Sequence, residues 1–182
     1  VLFRSEARRR AVATLHAPTE AVSRALGRVV ADGGFLVTTG QQPGLFTGPL
    51  YTVYKALTAV ALARRLEALL EVPVVPVFWV ASEDHDWAEV DHAALIGTDN
   101  ALHHLRIGAV EGAGARPLHR LALGADIETV VSEMGRLLPE TEFTGPYLEL
   151  LRRTWREGRT LPEGFRETLE DRKSTRLNSS HT

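Results

Sequence analysis

Two short stretches hold most of the chemistry this sequence can offer. The first, "GQQPGLFTG" (Gly40–Gly48), sets two adjacent glutamines among three glycines. Gln41 and Gln42 are the only glutamines in the 182 residues. A primary amide both donates and accepts, so at a buried strand end it needs partners. Those partners are either backbone groups of the loop or the polar groups of a ligand. Seven residues past Gly48 stands Lys55, the only lysine before residue 172 in a chain with nineteen arginines. Lysine is a compact charge on a flexible stem, suited to a carboxylate or phosphate oxygen. The plainer reading is a solvated residue on a helix face. The second stretch, "SEDHDWAEVDH", places Glu83, Asp84, His85 and Asp86 in succession after an apolar run. Such density raises a carboxylate pKa by mutual repulsion and makes a general acid or base. The plainer reading is a solvated loop whose Asp residues cap a short helix near Trp87.

The spacing narrows the chemistry further. The glycine-rich loop lacks the Gly-Lys-Ser/Thr ending of a phosphate loop and is not Gly-x-Gly-x-x-Gly. Gly40, Gly44 and Gly48 allow close backbone approach or positive φ. No metal site is assigned. His85 and His92 are seven apart, outside the i, i+4 spacing of helical zinc motifs, and there is no cysteine. The acidic loop suits Mg²⁺ only as a ligand held beside substrate phosphates. His16 and His119 have no partners in view, and His103 and His104 alternate with leucines in an expected strand.

The elements that must position these residues follow from periodicity. Ala21, Val22, Ala25, Leu26, Val29 and Val30 predict a helix over Thr19–Ala31, stopped by Asp32-Gly33-Gly34. "FLVTT" (Phe35–Thr39) reads as a buried strand, and the loop follows. Pro49 is expected as a first helical residue with Gly48 as its cap. Leu50, Val53, Tyr54, Leu57, Val60, Ala61 and Leu66 trace an apolar face to about Leu70. Gly48, Thr52 and Lys55 share one side of this helix. Its first turn offers N–H groups and a positive dipole end to an anion.

"VVPVFWVAS" (Val74–Ser82) is a second strand, apolar throughout and so expected to be covered on both faces. Pro76 marks an edge or bulge in it. Strand, helix and strand make a right-handed βαβ unit with parallel strands. The fold class is therefore α/β, with a Rossmann-like core. Ligands in such sheets bind outside the carboxyl ends of the strands, which here are Gly40–Gly48 and Ser82–Asp86. "DHAALIG" and "LHHLRIG" predict a hairpin around Thr98–Ala101. "RPLHRLALG" adds a strand, and Asp126–Leu138 and Gly145–Glu157 read as helices.

Composition sets the outer limits. Hydrophobic residues make up 44% and charged residues 24%, with a net charge of −2. That excludes a disordered chain and leaves no basic footprint for nucleic acid or an anionic membrane. No apolar run reaches the length of a membrane span. A cytoplasmic enzyme or binding domain is expected. Both ends differ from the body: "VLFRS" opens the chain without Met, and "RKSTRLNSSHT" carries three of the seven serines. Residues 1–5 and 172–182 are set apart as non-native, adapter-like ends, leaving 6–171 as the natural body.

"TGQQPGLFTGPLYTVYKALTA" followed by "VPVVPVFWVASEDHDWAEV" closely resembles the BshC family, the cysteine ligases of bacillithiol biosynthesis. The resemblance implies the N-terminal part of a Rossmann-like core, interrupted by a connecting-peptide-type α+β insertion and truncated before a long helical, coiled-coil region. It implies amide formation between cysteine and the amine of glucosaminyl-malate. Gln41, Gln42, Thr47 and Gly48 would bind substrate and Lys55 would support negative charge. One of Glu83, Asp84, His85 and Asp86 would take the proton of the attacking amine. A ligase implies nucleotide dependence, so ATP and Mg²⁺ are candidate cofactors, neither assigned. The partners are small molecules, not nucleic acid or membrane, with a homodimer formed through the missing helical region. The fragment alone is expected to be inactive and marginally stable. Two rivals share the sequence: a nucleotidylyltransferase-like enzyme on the same fold, and a non-catalytic assembly module.

Overall fold

A computed structural model describes the backbone of residues 2–177 and the side chains of residues 6–171. The side chains of the two ends set apart above therefore lie outside the described residues. The elements run α1 (Leu2–Ala13), α2 (Glu20–Ala31), β1 (Phe35–Gln41), α3 (Tyr51–Leu70), β2 (Val74–Val80) and α4 (Trp87–Val90). They continue with β3 (His92–Ile96), β4 (Leu102–Arg106), α5 (Asp126–Leu137), α6 (Thr144–Thr154) and α7 (Leu161–Leu177). Single 3-10 turns form at Leu45–Thr47 and Leu118–Arg120. The contacts divide the described residues into two compact units. One comprises the residues up to Gly40 with Tyr54–Trp79; the other comprises Gln41–Val53 with Val80 onward.

In the first unit, α2 starts where Thr19 Oγ1 accepts the Val22 N–H at 3.2 Å. Its apolar stripe buries Leu26 and Val29 against Val75, with Val22, Ala25 and Leu36 around them. β1 and β2 form a parallel two-stranded sheet, and α3 is the crossover between them. Phe35 N–H donates to Pro73 C=O at the start of the ladder. Gly40 is required by the pairing. A Cβ there would stand 2.7 Å from the Trp79 carbonyl oxygen.

Two expectations about burial are corrected. The buried stripe of α3 is Thr52, Ala56, Ala59 and Ala63, while Leu50, Tyr54 and Leu57 are exposed. Small side chains let a helix pack closely, so the alanines take the inner face and the larger residues turn outward. β2 is not covered on both faces along its whole length, because Trp79 is 68% exposed. Each strand of a two-stranded sheet has one edge without a ladder partner. A proline such as Pro76 loses no hydrogen bond at such an edge.

The second unit holds the larger core, with Leu45, Leu118, Ile127, Leu151, Leu161 and Phe165 fully buried. β3 and β4 form the expected antiparallel hairpin, in register from His92 opposite Arg106 to Ile96 opposite Leu102. At its turn, His103 Nε2 lies 3.0 Å from the Asp99 carboxylate. "RPLHRLALG" does not form a strand. Its centre is the Leu118–Arg120 turn, and only Ala122 pairs, in an isolated bridge to Thr160. Thr160 and Glu163 form a reciprocal cap at the start of α7. Thr160 N–H donates to Glu163 Oε2 at 2.8 Å, and Glu163 N–H donates to Thr160 Oγ1 at 3.4 Å.

Replacing Gly40 by Ala forces the Trp79 backbone away and should cost about 1–3 kcal/mol of stability. Gly27→Ala, inside α2 with nothing within 4 Å of the new methyl, should stabilise by roughly 0.5–1 kcal/mol. Urea unfolding midpoints of the two variants should therefore move in opposite directions. A Gly40→Ala midpoint equal to wild type would show that the sheet tolerates the wider spacing.

Candidate functional site

The site is built where β1 gives way to α3. Pro43 and Gly44 lead into the Leu45–Thr47 turn, where Phe46 (φ 52°), Thr47 (φ 79°) and Gly48 (φ 68°) all have positive φ. Three left-handed residues in succession, one of them β-branched, make a strained segment. Buried packing holds it. Leu45, Phe46 and Thr47 are all buried, and the Phe46 ring meets Trp155 edge-on at 5.5 Å between centroids. Trp155 is fixed in turn, its indole N–H donating to Thr168 Oγ1 at 2.9 Å.

The expected helix start is corrected by two residues. Gly48 (φ 68°, ψ −155°) closes the Leu45–Thr47 turn instead of capping α3, and α3 begins at Tyr51. Thr52 and Val53 N–H donate to Pro49 and Leu50 carbonyls in tight i→i+3 bonds, while Thr47 and Gly48 N–H donate to Gly44 and Leu45. These four donors are engaged within the turn. Those four N–H groups are therefore not offered to an anion. Thr52 is fully buried, whereas Lys55 is exposed, so the two do not share a surface. Lys55 leans back toward the strand, as helical side chains do, and its ammonium donates to the Gly40 carbonyl at 3.3 Å.

Gln42 makes the central contact. Its amide nitrogen donates to Asp84 Oδ2 and to Glu89 Oε2, each at 2.7 Å. The partners are neither loop backbone nor ligand, but two carboxylates. This amide joins the two chemically loaded stretches directly. The acidic loop is held on its other side as well. Asp86 N–H donates to Asp84 Oδ1 at 3.0 Å. Leu118 N–H donates to the Asp84 carbonyl, and His119 N–H to the Ser82 carbonyl. His119 Nδ1 lies 3.1 Å from the Ser82 carbonyl and 3.5 Å from Glu83 Oε1. Glu83, His85 and Asp86 are exposed.

These contacts decide the state of Asp84. The hydrogen bond from the Asp86 backbone, then that from Gln42, hold its carboxyl below the ordinary aspartate value. The expected upward shift does not occur, because these donors outweigh burial, the one influence that raises it. Among the described residues no three His, Asp or Glu side chains converge as a metal site.

Beside Gln42 opens a cavity of about 370 Å³. It is lined by Gln41, Gln42, Gly44, Pro49, Tyr51, Ala88, Glu89, Val90 and His92. Of the expected site residues in this unit, only the two glutamines line it, and Asp84 reaches it through Gln42. Glu89, His92 and Tyr51 were not singled out in the sequence. Their one signal was position, since Glu89 and His92 follow the acidic loop within the same short motif. His92 is oriented by the buried Asp91, whose Oδ1 lies 2.9 Å from His92 Nδ1 and whose Oδ2 pairs with Arg106 at 3.3 Å.

Residues 6–171 match the family model described as bacillithiol biosynthesis BshC, N-terminal Rossmann-like domain. The chain belongs to the BshC family. It is 43% identical over 142 residues to a Chlorobaculum tepidum protein named "Putative cysteine ligase BshC", covering 73% of this chain and 24% of that relative. Relatives of the same name from Heliobacterium modesticaldum and Solibacter usitatus are 40% and 39% identical, covering 77% and 81% of this chain and 25% and 27% of theirs. The chain thus spans about a quarter of the length of these curated BshC relatives. No helix among the described residues is long and apolar enough to cross a membrane.

The Asp84 contacts carry a pH signature. A depressed folded pKa adds stability above the unfolded value near 3.8, and that stability is lost as pH falls through the folded value. Asp84→Asn should therefore flatten the acid limb of a stability-versus-pH curve measured by chemical unfolding. Asp99 and Glu163, also depressed, keep the rest of that limb. Wild-type and Asp84→Asn curves that stay parallel below 3.8 would contradict the assigned contacts.

Proposed function

We propose that this chain is the N-terminal part of a ligase that joins the carboxyl group of cysteine to the amine of glucosaminyl-malate. The observation that carries the reading is the family match across residues 6–171, to relatives whose name specifies cysteine ligation. The arrangement around Gln42 gives that reading a chemical form. Amide formation joins the amine nitrogen to the cysteine carboxyl carbon and expels one carboxyl oxygen, as water or on an activating phosphoryl or nucleotidyl group. It needs a positioned amine, a group to take its proton, and ionised groups that hold the reactants.

Asp84 is a fixed anion in this reading. A carboxyl held below its ordinary value is a weak proton acceptor, so it positions charge. Glu83, His85 or Asp86, all exposed beside it, takes the proton from the attacking nitrogen. Gln41 and Gln42 form the wall against which substrate lies, and the buried Thr47 with Gly48 shapes the turn behind it. Lys55, tied to the Gly40 carbonyl, braces the end of β1 and supports negative charge there. Small-molecule substrates, a cytoplasmic setting and homodimerisation through the helical region of full-length members belong to the same reading. So does inactivity of this chain by itself.

The test uses a full-length protein carrying these residues, with cysteine and glucosaminyl-malate, in the presence and absence of ATP and Mg²⁺. Amide product is expected, together with a loss of about tenfold to a hundredfold in rate for Gln42→Ala and Asp84→Ala, equivalent to ~1.4–2.7 kcal/mol. Lys55→Ala should lose less. Full activity in all three variants would overturn the site. Pyrophosphate release that needs ATP but not cysteine would favour nucleotidyl transfer instead. Amide product from the 182-residue chain alone would overturn the inactivity of the isolated segment.

A further inference from the structure

We infer that the cavity beside Gln42 binds a primary ammonium group, with Glu89 and the Gln42 carbonyl oxygen as its principal acceptors. The inference rests on the amine-bearing substrates proposed above and assigns a place to one of their groups. It begins from which atoms the wall still has to offer. A glutamine amide has two N–H donors, and both donors of Gln42 are engaged by carboxylates at 2.7 Å. Only its carbonyl oxygen remains for a ligand, and that oxygen accepts. Glu89 is exposed and uses one oxygen on Gln42, which leaves the other. His92 stands against the buried Asp91 carboxylate through Nδ1. A carboxylate only accepts, so Nδ1 carries the hydrogen, and Nε2 is an acceptor whenever the ring is neutral.

Two acceptors, one of them a carboxylate, thus line one cavity beside His92, with Gln41, Gly44 and Tyr51 on the lining and Pro49, Ala88 and Val90 as apolar walls. A phosphate or carboxylate would meet repulsion there. An ammonium supplies three donors and a positive charge, and its hydrogen bonds to a carboxylate are of the stronger, charge-assisted kind. A cavity of about 370 Å³ has room for an amino acid or an amino sugar. Amide synthesis from cysteine involves two amines, and only one must react. The attacking amine has to lose its proton, whereas the cysteine α-amine has to be kept from acylation. Acceptors that stabilise the protonated form suit the second task.

The shared chemistry is a primary ammonium, and binding to a full-length protein carrying these residues separates its two sources. Calorimetric titration would compare cysteine methyl ester with methyl 3-mercaptopropionate, which lacks the amine, and glucosamine with N-acetylglucosamine. At least one amine should bind tenfold or more tightly than its amine-free or acylated partner, and Glu89→Gln should remove that preference. Preference for cysteine methyl ester assigns the cavity to the amino acid; preference for glucosamine assigns it to the sugar. Glu89 is exposed, so this variant should keep the wild-type circular dichroism and melting temperature. His92→Gln, which retains an acceptor, should keep most of the preference. Equal binding of each amine and its partner, or a preference that survives Glu89→Gln, would overturn the inference. The function proposed above fails separately. A full-length protein that binds the amine with this preference but forms no cysteine amide would leave the ammonium site standing.

Discussion

The turn at Phe46–Gly48 is the constraint on which the site depends. Three successive residues at positive φ carry a cost of order 1–3 kcal/mol for each non-glycine. Such a turn persists only if its surroundings determine it more strongly than local preference opposes it. The Phe46 ring against Trp155, and the Trp155 indole against Thr168, meet that requirement from α6 and α7. Gly164, where a Cβ would fall 2.8 Å from the Trp155 ring, lets α7 come close enough. The tight turn sets where Gln42 and Tyr51 emerge on either side of it. A relaxed loop of the same length would leave both side chains without a common cavity.

The electrostatics follow from that placement. Two carboxylates converging on one point repel unless something between them donates twice. A primary amide is the uncharged side chain that donates two hydrogens from one atom and still keeps an acceptor. Glutamate at position 42 would add a third anion. Lysine would cancel only one of the two charges and remove the acceptor. Asparagine has the right group but is one methylene shorter. Gln42 therefore has a physical reason to be glutamine, and the reason lies in Asp84 and Glu89 rather than in the loop. Gln41 is different. It ends the β1 ladder, its carbonyl accepting the Ala81 N–H, and its side chain lines the cavity.

Periodicity made much of the fold legible. The limits of α2, the end of α3 at Leu70, the β3–β4 hairpin and the start of α5 at Asp126 all lie where residue patterns place them. These elements are set by local signals: a Thr cap, a helix-ending Pro, a turn at Thr98–Ala101. The two loaded stretches were also legible as one site, because parallel strands bring their carboxyl ends to the same edge. What was not legible depended on tertiary packing. The α3 pattern of Leu50, Tyr54 and Leu57 is as good a helical stripe as Thr52, Ala56, Ala59 and Ala63, and hydrophobicity alone selects the wrong one. Close packing selects the alanines. His119 reached the acidic loop because its segment is a 3-10 turn, and nothing in "RPLHRLALG" distinguishes that turn from a strand.

The density of charge in "SEDHD" invites a general base at its most connected residue, and the geometry argues the reverse. A carboxylate is a better base when donors are withheld from it. Asp84 receives two, from the Asp86 backbone and from Gln42. The connections that make it look catalytic also make it a poor proton acceptor at neutral pH. Glu83, His85 and Asp86 beside it are exposed. Hydrogen bonding thus fixes one carboxylate of the loop in its charged form, where it holds the Gln42 amide.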